Sequence, residues 1–171
     1  MVESFVNFFI NLFSGLTSLK FGREIVVFII SMMPILELRG GLIAASLLGL
    51  KALPSFIICF IGNIIPIPFI LWLITPIFNY LKTKTKLKNL VEKLEKKAMN
   101  KKDKIEKLEY IGLFLFVGIP LPGTGAWTGC LIAALLNMDK KKSFLAALLG
   151  VVLAGIIMLI VSYGVIGNLI K

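Results

Sequence analysis

Two uncharged apolar runs, residues 52–81 and 143–170, constrain this chain more than any other feature. Each exceeds the about 20 residues that a helix needs to cross the hydrocarbon core of a bilayer. A buried helix in a water-soluble core seldom runs so long without a polar face. Hydrophobic residues make up 58% of the chain, so the runs are in keeping with the rest of it. The expected class is an all-α, polytopic membrane protein, and 171 residues leave room for one membrane domain. Glu3 precedes the first apolar stretch and no basic flank does, so residues 1–20 do not read as a cleaved signal.

Charge divides the chain further. Of 19 Lys and Arg, 11 lie between Lys82 and Lys107 and three more form Lys140-Lys141-Lys142. Short loops rich in Lys and Arg stay on the cytoplasmic side. Residues 82–109 and 139–142 are therefore both expected on the cytoplasmic face of the cell membrane, and the chain between them must enter and return. Residues 110–119 and 126–138 are apolar and flank Pro120-Leu121-Pro122-Gly123-Thr124-Gly125. As helices they reach roughly 15 and 20 Å, short of a core about 30 Å thick. Pro120 and Pro122 remove backbone donors, and Gly123 and Gly125 permit turns closed to other residues. A re-entrant helical hairpin over 110–138 fits these facts. Two short spans or one kinked helix is the blander alternative.

The same order occurs earlier. Residues 25–33 are apolar, Pro34-Ile35-Leu36-Glu37-Leu38-Arg39-Gly40-Gly41 follows, and an apolar stretch runs to Leu50. Arg39-Gly40-Gly41-Leu42-Ile43-Ala44-Ala45 aligns with Thr128-Gly129-Cys130-Leu131-Ile132-Ala133-Ala134. One residue of slippage then brings Ser55-Phe56 and Gly62 onto Ser143-Phe144 and Gly150. Each repeat is a broken hairpin and a long span: residues 21–81 (hairpin 25–50, span 52–81) and 110–171 (hairpin 110–138, span 143–170). A hairpin crosses nothing net and a span crosses once, so the two repeats are expected to be inverted, a plan common in secondary transporters.

Residues 1–20 read as an amphipathic interfacial helix, with a fourth span over 4–18 as the alternative. Residues 82–109 read as a Lys-rich cytoplasmic connector drawn to anionic headgroups. A 4-3 spacing through Leu87, Val91, Leu94, Ala98, Lys101, Ile105 and Leu108 also permits a dimerising coiled coil. Five acidic residues interrupt the basic ones and no aromatics are interleaved, which argues against a nucleic-acid partner.

Glu37 and Arg39 are the ionisable residues expected at membrane depth. Charges there are costly and mark substrate or ion pathways; the alternative is that the two neutralise each other and pin the hairpin tip. New half-helices are expected to begin near Gly40 and Ala126, and their N-termini carry unpaired donors and partial positive charge. Helix N-termini at the midplane of inverted repeats suit anionic groups, and Arg39 can grip a phosphate or carboxylate with two donors. Thr124 and Thr128 offer hydroxyls at the second tip. Asn63 either faces the pathway or packs helices beside Pro66 and Pro68. With no histidine and two isolated cysteines, Cys59 and Cys130, neither a metal site nor a cofactor is expected. No catalytic constellation appears, so an enzyme is not expected.

The run Pro120-Leu121-Pro122-Gly123-Thr124-Gly125-Ala126-Trp127-Thr128-Gly129, with Glu37-Leu38-Arg39-Gly40-Gly41 upstream, resembles the small multidrug export protein family of bacteria and archaea. The similarity spans essentially the whole membrane part and implies drug efflux. It also brings Trp127 into the candidate site. The hairpin-plus-span repeat is distantly similar to the DedA/VTT superfamily, whose members are implicated in moving lipids, including a phosphorylated polyprenyl carrier, across membranes. That resemblance implies that Glu37 stands where DedA proteins carry the acidic residue of their first hairpin. This chain departs from it in the second hairpin, where Gly118, Thr124 and Gly125 stand in the region of the DedA arginines.

Three functions compete. The first is a transporter or flippase with a midplane site between the hairpins for an anionic or lipid-linked substrate. The second is a proton-coupled exporter of small drugs, and the third a non-transporting membrane scaffold. Membrane lipids are the expected partners, and so small a chain leaves a homo-oligomer open.

Overall fold

The computed structural model describes residues 2–13, 15, 19–83, 85–100 and 108–166, and every regular element among them is helical. The helices are α1 (Val2–Leu12), α2 (Gly22–Met32), α3 (Glu37–Leu47), α4 (Ala52–Ile64), α5 (Pro66–Lys82), α6 (Thr85–Met99), α7 (Glu109–Gly118), α8 (Ala126–Leu135) and α9 (Lys140–Leu159). A π-helical segment, Ile160–Ile166, follows α9. Parts of the N-terminal helix, the connector with its seam positions Lys101 and Ile105, and the last span fall on residues 14, 16–18, 84, 101–107 and 167–171. They lie outside the described residues.

Two stretches, Ala52–Lys82 and Lys140–Gly164, are long and apolar enough to cross a membrane. On the first, Ile57, Ile61, Ile65, Phe69, Leu73 and Ile77 are all exposed and recur every four residues. On the second, Leu145 and Leu149 are exposed four residues apart, as are Ile156 and Ile160. Contiguous exposed apolar rows are a liability in water and suit lipid.

The chain forms two compact units, Met1–Ile65 with Val151–Lys171, and Pro66–Gly150. In the first, α2, α3 and α4 pack on one another, and α1 lies against α2 and α3. Helix α3 is buried on nearly every side, from Glu37 and Leu38 through Gly40–Ala45. In the second, α8 packs on α5, α6 and α7. Lys82 and Glu95 form an ion pair of 2.6 Å between α5 and α6.

The breaks follow from proline and glycine. Met33 is extended, as a residue before proline prefers, and Pro34 stands where a first helical residue needs no donor. The Glu37 N–H closes that turn on the Met33 carbonyl at 3.0 Å, and Gly40 N–H donates to Leu36 at 2.7 Å. The second helix therefore begins at Glu37, a turn earlier than the Gly40 start expected from sequence, because Pro34 nucleates it. In the other unit the Thr124 N–H donates to the Leu121 carbonyl at 3.2 Å, with Gly123 at φ 74°. Proline then glycine with positive φ is the pattern of a type II turn. The Thr124 hydroxyl lies 3.0 and 2.8 Å from the carbonyls of Ile119 and Leu121, so it closes its own turn.

One local geometry occurs twice, 88 residues apart. Leu48, Gly49 and Leu50 donate to Ala44, Ser46 and Ala45; Leu136, Asn137 and Met138 donate to Ile132, Ala134 and Ala133. Both are C-terminal caps with a left-handed residue, Gly49 at φ 71° and Asn137 at φ 53°. Ser55 N–H to Lys51 and Ser143 N–H to Asp139 continue the match. A Cβ on Gly62 would stand 2.9 Å from the Phe28 carbonyl oxygen, and one on Gly150 would stand 2.8 Å from that of Phe114. Gly41 and Gly129 correspond as well, each pressed on the preceding short helix at Ser31 or Val117. Gly41 thus matches Gly129, where the sequence alignment paired Gly40 with it. The extra length of the second break, two residues, absorbs the slippage that the sequence placed later.

Candidate functional site

The Glu37–Gly41 turn concentrates charge where the chain is otherwise apolar. Glu37 is buried and has φ 51°, a conformation that costs an L-residue about 1–2 kcal/mol. Arg39 is half-buried, and its guanidinium is attracted electrostatically to Glu37. Both lie in the first turn of a helix and not in a loop, and positions two apart on a helix do not face each other. Gly40 and Gly41 follow, both buried. Gly41 has no room for a side chain because Ser31 Oγ and Cys59 Sγ fill the space beside its Cα. Asn63 is buried on α4, which packs on α3, and its Oδ1 has no hydrogen-bond partner among the described residues.

The remaining candidates lie in the other unit. Pro120, Thr124, Trp127 and Thr128 are half-buried, Pro122 and Gly123 exposed, and Gly125 buried at the start of α8. The structure thus gathers Glu37, Arg39, Gly40 and Asn63 in the first unit. Pro120, Pro122, Gly123, Thr124, Gly125, Trp127 and Thr128 fall in the second.

Sequence reasoning passed over a polar and aromatic cluster in the second unit. Asp139 Oδ1 accepts the Lys142 N–H at 2.9 Å and caps α9, and the Asp139 N–H reaches the Tyr110 hydroxyl at 3.3 Å. The Lys142 ammonium sits 5.7 Å from the Tyr110 ring centre. Two shallow clefts open here. One of about 310 Å³ is lined by Glu109, Tyr110, Leu136, Asn137, Met138 and Asp139. The other, about 480 Å³, is lined by Trp72, Met138, Asp139, Lys140 and Lys141. The signal available in the sequence was Asp139 just before an apolar helix, an N-cap residue type. Among the described residues no group of three potential metal ligands comes together.

Comparison with known proteins decides the family. A family model described as "Putative small multi-drug export protein" matches residues 37–157, well over half of the chain. The chain belongs to this family. The match begins at Glu37, just after the first break, and includes the second break, the whole of Ala52–Lys82 and most of Lys140–Gly164. No curated protein and no solved structure matches the chain. As a member of a small multidrug export family with two helices fit to cross a bilayer, it is a membrane protein of transport type and not of an enzyme family.

Proposed function

We propose that this family member is a transporter or flippase for an anionic, lipid-phosphate type of substrate, working in the cell membrane. The observation that carries the reading is the buried Glu37 and half-buried Arg39 in the first turn of a short helix. Two charges are imported into a turn that apolar residues could have pinned, and a guanidinium there offers a phosphate two donors. The topology proposed is that of two inverted repeats, each a re-entrant hairpin and a long span, with the two breaks at the bilayer midplane. Residues 82–109 and 139–142 face the cytoplasm. The recurrence of one cap, one helix start and one glycine contact 88 residues apart supports the repeat. The cleft lined by Trp72, Lys140 and Lys141 suits a phosphate headgroup at the membrane boundary, where tryptophan and lysine concentrate.

Purified protein in liposomes with a fluorescent lipid phosphate tests the reading. Arg39→Ala should cut its movement across the bilayer by about tenfold or more, and Arg39→Lys by less, since lysine lacks the fork. Full activity in Arg39→Ala removes the anion site.

Burial of Glu37 and the family description favour a second reading, proton-coupled efflux of small drugs. There Glu37→Gln eliminates efflux driven by a pH gradient, and unchanged efflux excludes that role.

A further inference from the structure

A row of buried polar groups runs along one face of α4. Ser55, Cys59 and Asn63 recur every four residues and all are buried. Ser31 of α2 joins them beside Gly41, where its Oγ and Cys59 Sγ meet the same glycine. The Tyr163 hydroxyl lies near Ser55 and Cys59. Ser162, its neighbour in the π-helical segment, is fully buried, and its carbonyl accepts the Ser46 hydroxyl at 2.8 Å. Segments of π-helix occur frequently at functional sites. Among the described residues Asn63 Oδ1 and Ser162 Oγ have no hydrogen-bond partner, although the two residues are only 2% and 0% exposed. Orphaned polar atoms are costly, and a lipid surround offers no water in compensation.

The architecture does not demand this row. In the second occurrence of the same geometry, Cys59, Asn63 and Ser31 correspond to Ala147, Val151 and Val117, all buried. Only Ser55 keeps its type, as Ser143, at a helix start where the Ser55 hydroxyl donates to Lys51 at 2.7 Å. Apolar side chains therefore build the same helix contacts. The polar set is an addition to them.

We propose that the row is a water-bearing proton path. Water molecules bridge Asn63 Oδ1, Ser162 Oγ and the hydroxyl and thiol groups between them, as buried water does for polar groups lacking protein partners. Each water or hydroxyl accepts one proton as it releases another, so no side chain changes charge and no electron moves. The path passes Gly41, one turn of α3 from the buried Glu37. It supplies the coupling ion, and it rests on the transport reading for its purpose only, since the hydration stands by itself.

The two cysteines provide the test, because both are buried to 0% exposure and only Cys59 lies on the row. The full chain in lipid vesicles is transferred to D2O and the two S–H infrared bands are followed, assigned with Cys59→Ala and Cys130→Ala. The Cys59 band is expected to exchange at least about tenfold faster than that of Cys130. Asn63→Leu should slow Cys59 and leave Cys130 unchanged, and Ser162→Ala should act in the same direction. A Cys59 thiol that exchanges no faster than Cys130, or that ignores both substitutions, overturns the path. Rapid Cys59 exchange in a protein that moves no substrate would overturn the transport reading and leave the hydrated row standing.

Discussion

Gly62 lies so close to Phe28 that a Cβ on the glycine would stand 2.9 Å from the phenylalanine's carbonyl oxygen. Gly150 stands in the same relation to Phe114, at 2.8 Å. A backbone carbonyl cannot swing aside as a side chain can, so an added methyl must separate the helices. Gly62→Ala and Gly150→Ala should each destabilise the protein by about 1–3 kcal/mol, by similar amounts. Unfolding in detergent micelles, followed by helix signal, checks the pair. A cost at one site and none at the other would contradict the equivalence of the two contacts.

Gly41 is crowded by side chains and not by backbone, which makes its defect repairable. Gly41→Ala collides with Ser31 Oγ and with Cys59 Sγ at 2.9 Å. Adding Ser31→Gly empties most of that space, so the double variant should recover much of the lost stability. The coupling should fall between about 0.5 and 3 kcal/mol in a double-mutant cycle. Strictly additive losses would mean that the two residues do not meet.

Trp72 reports on the cleft beside Lys140 and Lys141. In a Trp127→Phe background it is the remaining tryptophan, since the chain has two. Brominated anionic phospholipid should quench its fluorescence more strongly than the brominated zwitterionic lipid. Lys140→Gln with Lys141→Gln should abolish the difference, and equal quenching by both lipids in the unaltered protein would argue against a headgroup site.

Much of the fold was legible because its signals are local and strong. Uncharged runs marked the long helices, and Pro120, Pro122, Gly123 and Gly125 marked the second break where the structure has it. The first break was harder. Glu37 adopts φ 51° inside a helical turn, and nothing in Glu-Leu-Arg-Gly-Gly announces that a carboxylate will take a conformation typical of glycine. The charged pair was therefore expected in a loop, one turn before the helix that holds it. Asn137 hid in the same way, filling at φ 53° the left-handed place that Gly49 fills in the first cap. The row at Ser31, Cys59 and Tyr163 depends on contacts between distant segments, which spacing along the chain does not encode.

Both lysine-rich segments must face one side of the bilayer if the Pro120–Gly125 break is to sit at depth. Single cysteines at Thr83 and Lys141, in a chain with Cys59 and Cys130 replaced, can be labelled with a membrane-impermeant maleimide in right-side-out and inverted vesicles. Both positions are predicted to react from the cytoplasmic face alone, with Thr124→Cys unreactive from outside. Labelling of the two on opposite faces, or of Thr124→Cys from the outer surface, would contradict the re-entrant path and the transport route built on it.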